Sequence, residues 1–203
     1  PAKIKATDVW TGFTTGDPSV VIADIDTGVE YTHPDLASNM WRNPAEIAGN
    51  GLDDDGNGYV DDVFGIDVID ANEAPGGSED PMDDHGHGTH VAGTIAGVGN
   101  NGAGVAGITW NSKILACKFL DSAGEGSDAG AVGCFDYILA LKRRGVNIRV
   151  SNNSWNGYTD GPSPVLQWAI DQAGSAGMLN VFAAGNDAAN LDTAKVYCPA
   201  SIT

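Results

Sequence analysis

The 203-residue sequence predicts an α/β domain: a mostly parallel sheet with helices on both faces. Three observations carry this. β-rich apolar segments alternate with helical ones along the chain, in the order β-α-β-α-β-α-β. The strand segments are near-continuous apolar runs, the pattern of strands covered on both faces. No internal repeat and no linker interrupts the alternation, so residues 1–203 read as one domain.

The elements follow in order. Lys3 to Thr11 has the character of a short helical lead-in, and Gly16-Asp17-Pro18 is a turn. Ser19 to Ile25 is the first strand, ending at the turn signal Asp26-Thr27-Gly28. His33-Pro34-Asp35-Leu36 begins a short helical turn. From Asn43 to Asp84 the chain is polar and rich in Gly and Asp, and reads as a long functional or metal-stapled loop. Gly88 to Val98 has small apolar residues at helical spacing, with His87 at its N-terminus. Lys113 to Leu120 is the next strand. Ser127 or Asp128 caps a helix from Ala129 to Arg144, whose Lys142-Arg143-Arg144 suits the negative helix end, with Gly145 as terminator. Asn147 to Asn153 is a strand with a polar exit. Ser163-Pro164 opens a helix as N-cap and first helical residue, and Met178 to Ala183 is the last strand, closed by Ala184-Gly185-Asn186.

Charge narrows the function classes. The net charge is −17, so nucleic-acid phosphates would be repelled and no nucleic-acid partner is expected. Lys and Arg are absent from Asn43 to Ser112, where the acids gather. No apolar run reaches the roughly 18 to 20 residues that span a bilayer. Cys117, Cys134 and Cys198 lack C-x-x-C spacing, which argues against structural zinc and leaves their pairing open.

Three of the four histidines lie in Asp84-His85-Gly86-His87-Gly88-Thr89-His90. Asp26-Thr27-Gly28 ends one strand and Ala183-Ala184-Gly185-Asn186 ends another, at the sheet edge where parallel folds build sites. Acyl transfer needs an imidazole base, a carboxylate to orient it and donors for a developing oxyanion. An Asp, a His and an Asn amide are three of those parts.

At these residues the sequence is similar to the subtilases, the subtilisin-like serine peptidases, over essentially the whole chain. Val21 to Val29 with His33-Pro34-Asp35-Leu36 resembles the family's aspartate motif, and His87-Gly88-Thr89-His90-Val91-Ala92-Gly93-Thr94 its histidine motif. The resemblance implies a subtilisin-like fold, truncated at the C-terminus, with residues 1–203 as the N-terminal portion of one catalytic domain. It implies a serine endopeptidase in which Asp26 orients, His87 is base and acid, and Asn186 donates to the oxyanion. His90 and His33 are then structural, and His85 has no assigned role. It also implies a secreted or extracytoplasmic protein. Two departures stand out. The family's Gly-Thr-Ser-Met/Leu-Ala motif does not follow Asn186, so the nucleophile is expected outside this chain, in a C-terminal remainder of the domain, and the chain alone is expected to be inactive. Asp24 occupies a strand position that is usually apolar in the family.

The same resemblance implies an extended peptide or protein substrate, bound as an added strand between two edges. Ser154, Trp155 and Asn156 form one, Gly124, Glu125 and Gly126 the other. Ala183, Ala184 and Gly185, with Tyr197-Cys198-Pro199-Ala200, line the pocket before the scissile bond. Structural Ca2+ is expected at one or two sites. The first is implied by the family and maps to Asp35, Asn101 and the carbonyls of Gly99, Ala103 and Val105. The second follows EF-hand logic in Asp53, Asp55, Asn57, the Tyr59 carbonyl and Asp61, with Gly58 at the turn and Asp62 replacing the missing bidentate acid. Two rival readings remain: a metallohydrolase binding zinc through His85, His87 and His90, and a calcium-dependent binding module.

Overall fold

The computed structural model describes residues 4–69, 80–157 and 163–186. Within them a five-stranded sheet runs in the order β2-β3-β1-β4-β5: β1 is Val21–Asp26, β2 Gly65–Asp67, β3 Lys113–Lys118, β4 Ile148–Asn153 and β5 Leu179–Phe182. Every pairing is parallel, and the central β1–β3 ladder runs from Val21 opposite Lys113 to Asp26 opposite Lys118. Four helices accompany it: α1 (Ala6–Gly12), α2 (His87–Ala96), α3 (Asp128–Arg143) and α4 (Pro164–Ser175). The α/β architecture expected from the alternation is the one observed.

Successive side chains of a strand point to opposite faces, and here the two faces make two cores. Val21, Ala23 and Ile25 of β1, with Leu115 and Cys117 of β3, pack beneath α3 and α4 through Phe135, Ile138, Leu166 and Ala169. Ile22 of β1, with Ile114 and Ala116 of β3, packs against Ala92 and Ala96 of α2. A disulfide joins Cys117 to Cys134 across the first core, which answers the pairing that spacing left open; Cys198 lies outside the described residues.

The caps act as the residue types demand. The Ser127 side chain accepts from the Gly130 N–H, Lys142 and Arg143 occupy the last turn of α3, and the Ser163 hydroxyl accepts from the Leu166 N–H ahead of α4. β2 is the element that sequence reasoning missed, inside the stretch read as loop. Three residues are too few for a periodic signal. Its place depends on Gly65, at φ 136°, where a Cβ would collide with the Ala116 carbonyl. The short helical turn begins at His33 as expected, the Leu36 and Ala37 N–H groups donating to the His33 carbonyl, and continues as a 3-10 turn over Ala37–Asn39.

Candidate active site

Because all five strands are parallel, the exits of β1, β3, β4 and β5 share one edge of the sheet. β1 delivers Asp26 there, fully buried, while its next backbone N–H, on Thr27, donates to Asp26 Oδ1 at 2.7 Å. α2 delivers His87 at its first position. His87 Nδ1 lies 2.7 Å from Asp26 Oδ1, and the His87 side chain is 43% exposed while the aspartate is shut off from solvent. An ionised carboxylate can only accept, so Nδ1 carries the hydrogen and the other ring nitrogen is left to exchange protons. Burial raises the proton affinity of Asp26, and the hydrogen bonds from His87 and Thr27 oppose that rise.

The approach of α2 to β1 requires Gly88. A Cβ there would stand 2.1 Å from the Gly28 carbonyl oxygen and 3.2 Å from the Asp26 Cβ. The glycine of His-Gly-Thr-His therefore lets the helix close on the aspartate.

Two residues that sequence reasoning passed over hold this geometry. Asp83 Oδ1 accepts from the Thr27 hydroxyl and from the N–H groups of His85 and Gly86, and Oδ2 accepts from the Thr89 N–H and hydroxyl. α2 has no side-chain cap at Gly86, so Asp83 does that work from one turn away and ties it to the exit of β1. Burial pushes Asp83 upward, but the donors from Thr89, Gly86 and His85 outweigh it and leave the carboxyl below its ordinary range. Lys118, buried at the end of β3, donates to the carbonyls of Thr27 (2.8 Å) and Leu120 (3.1 Å) and pairs with Asp84 at 2.6 Å. An acid one turn before a helix and a lone Lys ending an apolar strand were the available signals.

The other expected residues fall as follows. Ser154, Trp155 and Asn156 follow β4 directly; the Ser154 hydroxyl accepts from Asn152 Nδ2, Asn156 is exposed, and the Trp155 ring stands edge-on to Phe119 and Phe182. Gly124, at φ 77°, belongs to a tight turn in which the Asp121 N–H donates to the Glu125 carbonyl; Glu125 and Gly126 are exposed. Ala183, Ala184, Gly185 and Asn186 follow β5, with Asn186 exposed. Tyr197, Cys198, Pro199 and Ala200 lie outside the described residues. His85 Nδ1 accepts from the His87 N–H at 3.3 Å, and His90 starts the second turn of α2, so the three histidines do not converge on one point.

The acidic stretch is organised by its own hydrogen bonds. Asp61 accepts from the N–H groups of Gly49, Asn50 and Gly51, and Asp53 from those of Asn57 and Gly58. Asp55 and Asp62 converge instead with Glu46, a residue not singled out from sequence, their oxygens lying within 4.8 Å of one another. Glu46 Oε2 is buried without a partner. Asp62 is fully buried, accepts from Tyr137 Oη, Asn43 and Asn57, and is raised in proton affinity by burial. The Tyr59 ring meets Tyr137 edge-on. In the other loop, Asp35 Oδ1 accepts from Asn101 Nδ2 at 2.6 Å and Oδ2 from the Val105 N–H at 2.8 Å, with Gly99 and Ala103 in the same loop.

Comparison with known proteins agrees with the motifs. The sequence model of the Subtilase family matches residues 17–203. Subtilisin-like protease 1 of Plasmodium berghei (strain Anka) is 37% identical over 166 residues, covering 81% of this chain and 26% of that protein. Its namesake from Plasmodium vivax is 38% identical over 166 residues, covering 81% of this chain and 24% of that protein. Subtilisin of Bacillus pumilus is 31% identical over 199 residues, covering 98% of this chain and 58% of that protein. The chain thus spans about a quarter of the Plasmodium proteins it matches. With its motifs on one sheet edge and the family match running over nearly all of its length, the chain belongs to the subtilase family of serine peptidases.

Proposed function

We propose that the protein hydrolyses peptide bonds as a subtilisin-like serine endopeptidase, with Asp26 as the orienting carboxylate and His87 as the base and acid of an Asp-His-Ser triad. The observation that carries this reading is the 2.7 Å contact between His87 Nδ1 and buried Asp26 Oδ1, with the imidazole open to solvent. The geometry suits a base that takes a proton from an attacking hydroxyl and returns it to the leaving amine. Asp26 holds the tautomer and stabilises the imidazolium. Asn186 supplies an oxyanion donor from the exit of β5. The nucleophile is a serine outside residues 1–203, since no Gly-Thr-Ser stands after Asn186; residues 1–203 are then the N-terminal portion of the catalytic domain. The substrate is an extended peptide or protein, added as a strand between Gly124–Gly126 and Ser154–Asn156. Replacing His87 by Ala in the complete protein should remove nearly all peptide turnover and all labelling by a serine-directed phosphonate. Near-normal turnover would defeat the assignment.

Structural calcium belongs to the same proposal. We place the stronger site at Glu46, Asp55 and Asp62, because three convergent carboxylates with one orphan buried oxygen suit a hard cation. Bound there, the ion would neutralise their repulsion and pin the loop to α3 through Tyr137. Asp35 would need the Asn101 amide to turn its oxygen inward before serving a second ion. An extracytoplasmic location is supported by the Cys117–Cys134 disulfide, which persists in oxidising surroundings. Among the described residues no helix is long and apolar enough to cross a membrane.

A further inference from the structure

Asp24 is the buried acid that this mechanism leaves unused. It lies two residues before Asp26, on the same face of β1, and both are fully buried. Asp24 Oδ1 accepts from Asn152 Nδ2 at 3.0 Å, and the same amide nitrogen reaches the Ser154 hydroxyl at 3.0 Å. The second oxygens are alike in lacking donors: neither Asp24 Oδ2 nor Asp26 Oδ2 has a hydrogen-bond partner. We propose that Asp24 is a positioning residue of the active site, a carboxylic acid whose proton is shared with the orphan Oδ2 of Asp26 so that the two form an acid–carboxylate pair behind His87.

Among the described residues no cation answers Asp24. The charged groups around it are Asp26 on its own strand, Asp83 before α2, and His87 on α2, which is engaged by Asp26; Lys118 of β3 is turned to Thr27, Leu120 and Asp84. β4 offers the neutral Asn152. Burial, then the charges of Asp26 and Asp83, drive the Asp24 carboxyl well above its ordinary range, against the Asn152 hydrogen bond. Two carboxylates cannot both ionise cheaply in such a place, and one shared proton resolves the conflict. The consequence reaches His87. A donor on Oδ2 spreads the Asp26 charge, so the imidazolium is held less tightly than by a naked carboxylate. At its other oxygen Asp24 fixes Asn152, and through it Ser154 in the substrate wall.

This inference rests on the peptidase reading, and its test has one arm that does not. In the complete protein, Asp24→Val removes the donor, and the acidic limb of kcat/KM should move up by about half a pH unit. Asp24→Asn restores a donor and an acceptor and should return the limb to its parent position. An unmoved limb in Asp24→Val, or one displaced downward in Asp24→Asn as loss of a full negative charge would require, overturns the proposal. The second arm is thermal melting of the same proteins. A carboxyl with raised folded-state proton affinity contributes stability at acid pH that is lost as pH rises through that value. The Tm of Asp24→Asn minus that of the parent should therefore grow from about pH 4.5 to about pH 7.5. A constant difference would overturn the shared proton. Absence of turnover in the parent would instead count against the peptidase reading, and melting would still decide Asp24.

Discussion

At the scale of residues, the site depends on which atoms face each other. Asp26→Asn would keep the shape but let the amide donate to Nδ1, selecting the wrong tautomer. Turnover should fall about 10³- to 10⁴-fold with substrate binding preserved, read as kcat against KM. Asp83 makes a different prediction, because it builds the site without touching substrate. Asp83→Asn halves its acceptor capacity and should cost about 2 kcal/mol. Its folded-state carboxyl is depressed, so the stability it confers is present at neutral pH and lost as pH falls through that depressed value. The Tm gap between parent and variant should thus close in acid. Asp26 and His87 were legible because chemistry demands their types at a strand end and a helix start. Asp83 and Lys118 were not, since their work is to satisfy backbone groups that only the folded chain brings together.

At the scale of elements, strands and helices with strong local signals fell within a few residues of expectation. Ser127, Ser163-Pro164 and Lys142-Arg143 act locally, so the ends of α3 and the start of α4 could be read directly. β2 could not, because its reason for existing is a tertiary contact. Gly65→Ala would force a side chain into the Ala116 carbonyl at φ 136°. A loss of about 1–3 kcal/mol is expected, measured as a lowered Tm, with β2 detaching from β3. In the acidic loop, Asp53 and Asp61 matched a ligand periodicity, yet the fold spends both on backbone N–H groups of neighbouring turns. Glu46, outside that period, joins Asp55 and Asp62 because the loop doubles back on itself. A linear motif cannot register that return.

At the scale of the whole molecule, charge and covalent restraint set the stability. With a net charge of −17, self-repulsion weakens the compact state, and Glu46, Asp55 and Asp62 meet where Arg144 pairs with Asp55 alone of the three. Calcium chelation should lower the Tm of the parent, and Asp62→Asn should make the Tm less sensitive to chelator. A chelator-insensitive parent would remove calcium from the proposal. The two cores divide the labour unequally. The core beneath α3 and α4 is the larger and contains the disulfide, while α2, which begins at His87, rests on small residues, Ala92 and Ala96.

The Cys117–Cys134 bond has a consequence for survival among proteases. Proteolysis of a folded chain requires the segment that is cut to leave the fold first. Cys117 sits in an interior strand of the sheet, β3, and Cys134 in α3, which covers it. With the bond intact, α3 cannot lift from β3 far enough to be cut; reduced, the same helix can open as a unit. Cleavage by an added protease should therefore begin at the acidic loop in an oxidised sample deprived of calcium, and within α3 only after reduction.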